Sequence, residues 1–115
     1  MKRQRIVTMC QGGHVRSVAL KYLLRYGGPN LDVLACGWES NTEQTRRMLF
    51  EWADTIIILQ SKFEQHVPSE FHDNSDGSRR LFCYDVGEDR FGNPFHPELQ
   101  EGLKHMIASH GLFAP

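Results

Sequence analysis

The chain has no long hydrophobic run. Its basic opening, Lys2-Arg3-Gln4-Arg5, is followed by only a handful of apolar residues. That is far too few for a secretory core or a membrane span, so a cytoplasmic protein with no membrane partner is expected. Net charge is almost absent: 13 basic residues against 14 acidic ones leave −1. Such a balance gives no pull towards nucleic acid or an anionic surface. Cysteine is scarce. The three, at positions 10, 36 and 83, are odd in number and widely spaced, unlike a secreted disulfide framework. The six histidines show no paired ligand spacing, so no metal site and no cofactor are read from the sequence. Internal repeats and low-complexity stretches are missing too.

What remains is an ordinary globular composition, 40% apolar and 23% charged over 115 residues. This suits a single domain, 1–115, with a modest core. Strand-like and helix-like segments alternate along it. Ile6 to Met9 reads as a first strand, and Ser17 to Tyr26 as a helix stopped by Gly27-Gly28-Pro29. Leu31 to Cys36 is a second strand. A helix capped by Asn41 or Thr42 then runs to about Trp52, with Met48, Leu49 and Trp52 on its inner stripe. Thr55 to Leu59, β-branched almost throughout, is the clearest buried strand. Ser61 caps a short helix to about His66, before Pro68. His72 to Ser78 is polar and turn-prone, a mobile surface loop. Leu81 to Tyr84 is a fourth strand, and Pro97 opens a last helix whose Leu99, Leu103, Met106 and Ile107 face a core. The alternation predicts an α/β fold, an open four-stranded parallel sheet with helices on both faces. Ligands bind such sheets beyond the carboxyl ends of the strands.

Cys10 stands at one of those ends and begins the run Cys10-Gln11-Gly12-Gly13-His14-Val15-Arg16-Ser17. A cysteine, five residues, an arginine and a hydroxyl residue between a strand and a helix make a cradle for a phosphate-sized oxyanion. A loop that curls back and opens a helix aims backbone N–H groups at one point, where the helix dipole also favours negative charge. Arg16 adds a planar, two-pronged donor. The cysteine sulfur lies beneath the anion, where the same field favours the nucleophilic thiolate, and Ser17 can donate a hydrogen bond to it. The glycines sit where a tight loop needs positive φ. A second group is needed to protonate the leaving oxygen. Candidates cluster after the fourth strand, in Asp85, Glu88 and Asp89, three acids close enough to raise one another's pKa.

On these residues the chain resembles the low-molecular-weight protein tyrosine phosphatases. Cys10 to Ser17 matches that family's C-x-G-x-x-x-R-S loop. Leu34-Ala35-Cys36-Gly37 is similar to its small-residue turn after the second strand, and Glu88-Asp89-Arg90-Phe91-Gly92 to its acid loop. Pro94 to Leu99 resembles the entry to the last helix in short bacterial members. The resemblance implies Cys10 as nucleophile, Arg16 as phosphoryl ligand, Ser17 as support for the thiolate and Asp89 as general acid. It also implies that the backbone N–H groups of Gln11, Gly12, Gly13, His14, Val15 and Arg16 hold the equatorial oxygens. The reaction implied runs through a phosphocysteine, without a metal. Its substrate is a phosphate monoester, either a phosphotyrosine protein or a small phosphoester. Four departures stand out. Gly13 replaces an asparagine that locks the loop, Val15 replaces a second cysteine found in many members, Arg90 replaces a proline, and one of two pocket-wall aromatics is missing. Two other readings remain: a phosphate- or phosphoprotein-binding module that has lost its acid, and a thiol-dependent arsenate reductase, which needs resolving cysteines. No feature of the sequence indicates the oligomeric state.

Overall fold

The computed structural model describes residues 4–27, 31–88 and 90–110. Four strands form one parallel sheet: β1 (Gln4–Cys10), β2 (Leu31–Gly37), β3 (Thr55–Ile58) and β4 (Leu81–Cys83), in the order β2-β1-β3-β4. Among the described residues, α1 (Arg16–Gly27) joins β1 to β2, α2 (Glu43–Trp52) joins β2 to β3, and α3 (Pro97–His110) follows β4. The predicted architecture and its four strands are all present.

The side-chain alternation of β1 and β3 divides the core in two. Ile6 and Cys10, with Ile57 and Leu59, point towards α1 and α3, where Leu20, Leu24, Leu99 and Leu103 complete one cluster. Val7 and Met9, with Ile56 and Ile58, point the other way, onto Phe50 of α2 and onto Phe63, Val67 and Phe71. A sheet buried on both faces needs apolar residues at every position, which is why Thr55 to Leu59 reads as an unbroken hydrophobic run. Parallel pairing brings Cys10 level with Gly37 at the top of the sheet. Every segment that could meet Cys10 therefore leaves the sheet at the same edge.

Several local expectations need correction. Met48 is 65% exposed, and Phe50 is the residue that α2 buries. The inner stripe is displaced because Leu49 and Trp52 reach the core only partly. Of the two caps expected for α2, Thr42 is the one used, its Oγ1 accepting from Thr45 N at 3.1 Å. Ser61 does not cap the next segment. It is the first residue of a 3-10 helix, Ser61–His66, and its own N–H is taken by Asp85 Oδ2 at 2.8 Å. The segment 72–78 forms the expected turn. Asp73 and Arg79 form an antiparallel bridge, and Asn74 N, Gly77 N and Ser78 N all make hydrogen bonds within the turn.

Candidate active site

Cys10 ends β1 and Arg16 begins α1, so five residues carry the chain from strand to helix. Thr8 fixes the geometry from inside. Its buried Oγ1 donates to the carbonyl of Ser17 at 2.8 Å and pins the first turn of α1 to the strand. Around the Cys10 sulfur three polar groups converge: Ser17 Oγ at 3.2 Å, Gly13 N at 3.3 Å and Ser17 N at 3.4 Å. Cys10 is 2% exposed and Ser17 fully buried. The predicted contact between Ser17 and the sulfur is present.

The outer side of the loop is held by the segment after β2. Three successive carbonyls, of Cys10, Gln11 and Gly12, accept from Trp38 N at 2.8 Å, Glu39 N at 2.8 Å and Ser40 Oγ at 3.1 Å. Gln11 Nε2 adds a bond to Glu39 Oε1 at 2.6 Å. This segment supplies the lock that Gly13 lacks as a side chain. Gly13 has φ +75°, and a Cβ there would stand 2.5 Å from the backbone nitrogen of Gly37. A Cβ on Gly37 would meet the carbonyl of Gly12 at 2.5 Å. The two backbones touch only because both residues are glycine. Leu34-Ala35-Cys36-Gly37, expected as a turn, is instead the end of β2, and its Gly37 closes against the loop.

Arg16 is entirely buried, one of the largest side chains to be so. Its Nη1 donates to Gln60 Oε1 at 2.8 Å and to the carbonyl of Gly87 at 2.7 Å. Its Nε and Nη2 are also buried and have no hydrogen-bond partner among the described residues. Those two atoms form one edge of the guanidinium, the edge that grips two oxygens of a carboxylate or phosphate at once. Leaving a buried donor unmade costs about 1–3 kcal/mol, more when it is charged. A bound tetrahedral oxyanion satisfies both.

The other candidates fall as follows. His14 is exposed, while Gln11, Gly12, Gly13 and Val15 are half-buried. Val15 packs against the α1–α3 core. Asp85 does not share a raised pKa with its neighbours, as the sequence suggested. Partial burial pushes its carboxyl up, but hydrogen bonds from Ser61 N and Gly87 N outweigh this and hold it below the ordinary value. That carboxylate is a structural brace. Glu88 Oε1 accepts from Gln60 Nε2 at 3.1 Å. Asp89 lies outside the described residues. Arg90 is paired with Glu98 through contacts of 3.1 and 3.3 Å and lies 4.2 Å over the ring of Phe91. Phe91 is buried in the α1–α3 core rather than walling a pocket. Trp38 donates its backbone N–H to the loop, yet its ring turns to Phe63, His66 and Arg46 beside a separate cleft of about 190 Å³.

Cys36 and Cys83 pack on the α2 face of the sheet, opposite the face that Cys10 joins. Burial raises both thiols to about 11. Among the described residues, no group of three His, Cys, Asp or Glu side chains is placed to hold a metal ion, and no helix is long and apolar enough to cross a membrane. Sequence reasoning missed Gln60 and Gly87. Gln60 directly follows the buried run Thr55 to Leu59, so the rule that ligands bind at strand carboxyl ends would have singled it out.

A parallel four-stranded α/β sheet with a Cys-to-Arg anion loop after its first strand is the architecture of the low-molecular-weight protein tyrosine phosphatases. Solved structures with this fold span nearly the whole chain. The arginine phosphatase YwlE from Geobacillus stearothermophilus superposes with a TM-score of 0.62 at 17% identity, covering 94% of this chain and 93% of its own. Wzb from Vibrio vulnificus, in complex with benzylphosphonate, gives 0.64 at 13% identity, covering 93% and 99%. A low-molecular-weight protein tyrosine phosphatase from Bacillus subtilis gives 0.57 at 19% identity, covering 94% and 97%. No protein-family model and no curated protein sequence matches the chain.

Proposed function

We propose that this chain is a cysteine-dependent phosphatase of the low-molecular-weight protein tyrosine phosphatase type, acting on phosphate monoesters. The observation that carries the reading is the buried Arg16, whose Nε–Nη2 edge has no partner among the described residues and accompanies a Cys10 sulfur surrounded by three polar groups. The thiolate of Cys10 attacks phosphorus, the P–S bond forms and the ester P–O bond breaks. Arg16 and the backbone N–H groups of residues 11–16 bind the equatorial oxygens, most strongly in the transition state. The leaving oxygen takes a proton from Asp89, and the resulting carboxylate then activates water, which cleaves the P–S bond and releases phosphate. Glu88 is the other candidate for this proton, since Asp85 is committed to the backbone of Ser61 and Gly87.

The solved neighbours support this reading by what they bind and form. Wzb is seen with a benzylphosphonate, and one YwlE variant carries a phosphorylated active-site serine. The arsenate reductase reading loses ground because Cys36 and Cys83 pack in the core cluster of the opposite sheet face, where burial raises both thiols to about 11. Hydrolysis of p-nitrophenyl phosphate against pH, under reducing conditions, tests the proposal. Wild type turns over, Cys10→Ser abolishes turnover, and Asp89→Asn cuts it by about 10²-fold or more. An unaffected Asp89→Asn moves the acid to Glu88. Clean wild type that binds phosphate without turnover establishes a binding module instead.

A further inference from the structure

Gln60 is 8% exposed and stands where the chain leaves β3, at the carboxyl edge of the sheet. It occupies the cap position of the 3-10 helix Ser61–His66, but its side chain makes no capping bond. Asp85 reaches across from the end of β4 and takes the Ser61 N–H instead. The amide of Gln60 is thereby free for another use. Its Oε1 accepts from Arg16 Nη1 at 2.8 Å, and its Nε2 donates to Glu88 Oε1 at 3.1 Å.

Chemistry permits this chain of bonds in one orientation only. A guanidinium has donors and no acceptor, while an ionised carboxylate has acceptors and no donor. A side chain bridging the two must accept at one end and donate at the other. Glutamine does so. A carboxylate at this position would face Glu88 with like charge, and an apolar residue would serve neither partner. The same Nη1 also donates to the carbonyl of Gly87, one residue before Glu88. Two short links therefore join the arginine of the anion cradle to the segment that carries the candidate acids.

We propose that Gln60 is a positioning residue that couples Arg16 to the acid loop. It fixes the plane of the guanidinium so that Nε and Nη2 face the anion, and it holds the 87–88 segment beside the leaving oxygen. Both effects act through other groups, since Gln60 is nearly buried and the two ends of its amide are engaged with Arg16 and Glu88. The inference rests on the phosphatase reading, and its test must separate the two.

The test uses Gln60→Met, Glu88→Ala and the double variant, with p-nitrophenyl phosphate and phenyl phosphate measured on the same preparations. The first substrate has a good leaving group and needs little help from an acid; the second needs protonation. Gln60→Met is expected to lower kcat/KM by about tenfold on p-nitrophenyl phosphate and by about a hundredfold on phenyl phosphate. Because both substrates see the same folded fraction, partial misfolding does not move their ratio. In a Glu88→Ala background, Gln60→Met changes that ratio no further. An unchanged ratio in Gln60→Met, or independent effects in the double variant, overturns the coupling. Wild type that hydrolyses neither substrate fails the phosphatase reading separately. In that case protection of Cys10 from iodoacetamide by inorganic phosphate decides the Arg16 arm. Half-protection shifts about tenfold upward in Gln60→Met if Gln60 positions the guanidinium, and stays put if it does not.

Discussion

At the scale of single residues, the three cysteines differ in kind. Burial raises the thiols of Cys36 and Cys83 to about 11, so at pH 7 both stay protonated and poorly nucleophilic. Cys10 alone has Gly13 N, Ser17 N and Ser17 Oγ against its sulfur. Brief treatment with iodoacetamide at pH 7 is expected to label Cys10 before the other two, as read by peptide mass spectrometry, and phosphate suppresses that labelling. Gly13 gives a second prediction. Gly13→Ala places a methyl 2.5 Å from the Gly37 nitrogen at φ +75°. The 37–40 segment must then move, and kcat/KM on p-nitrophenyl phosphate falls by about tenfold or more. Gly13→Asn meets the same Cβ clash and gives the same loss. Cys10, Arg16 and Ser17 were legible from spacing because one loop carries all three. Gln60 was not, since its partner Arg16 is 44 positions away.

Secondary-structure elements were legible where burial alone set the pattern. Thr55 to Leu59 and the inner face of α3 came out as expected, because a two-sided core and a helical stripe impose their own periodicities. The misreading of Ser61 falls where a distant side chain intervenes. Asp85 caps the Ser61–His66 segment from 24 positions away, and no local signal announces such a brace. Its carboxyl is pushed up by partial burial and pulled further down by the N–H groups of Ser61 and Gly87. A carboxylate held below its ordinary value of 3.8 stabilises the fold at neutral pH, and that contribution is lost as pH falls through the folded-state value. Asp85→Asn is expected to lower stability at pH 7 by about 1 kcal/mol, as for other helix caps. The difference from wild type vanishes in strong acid, and urea unfolding at the two pH values checks both.

For the molecule as a whole, Arg16 is a cation stored in the interior, with Nε and Nη2 unpartnered among the described residues. A ligand that binds only the folded state raises stability by mass action, about 2.7 kcal/mol at a hundred times its Kd. Inorganic phosphate or sulfate is therefore expected to raise Tm by several degrees in a concentration-dependent way. Arg16→Met removes that response, whereas chloride at matched ionic strength does not produce it in wild type. A thermal melt across a phosphate series reads this without any turnover. The overall architecture was visible in the sequence because four alternations of strand and helix leave few topologies. Of the loop's outer wall, residues 37–40, only Gly37 was read in the sequence, as the end of a small-residue turn, because the wall's task is set by the pairing of Cys10 with Gly37.

The meeting of Gly13 and Gly37 has a genetic consequence. Most damaging substitutions in a packed site can be relieved by a second change that shrinks the neighbour. Here a methyl on Gly13 meets the backbone of Cys36 and Gly37, and one on Gly37 meets the carbonyl of Gly12 as well as Ser40 Oγ. Neither position has anything left to remove. A suppressor of an alanine at either one cannot arise at the other, and must instead shift a whole segment of chain. The two codons behave as a single locus with no internal route to repair.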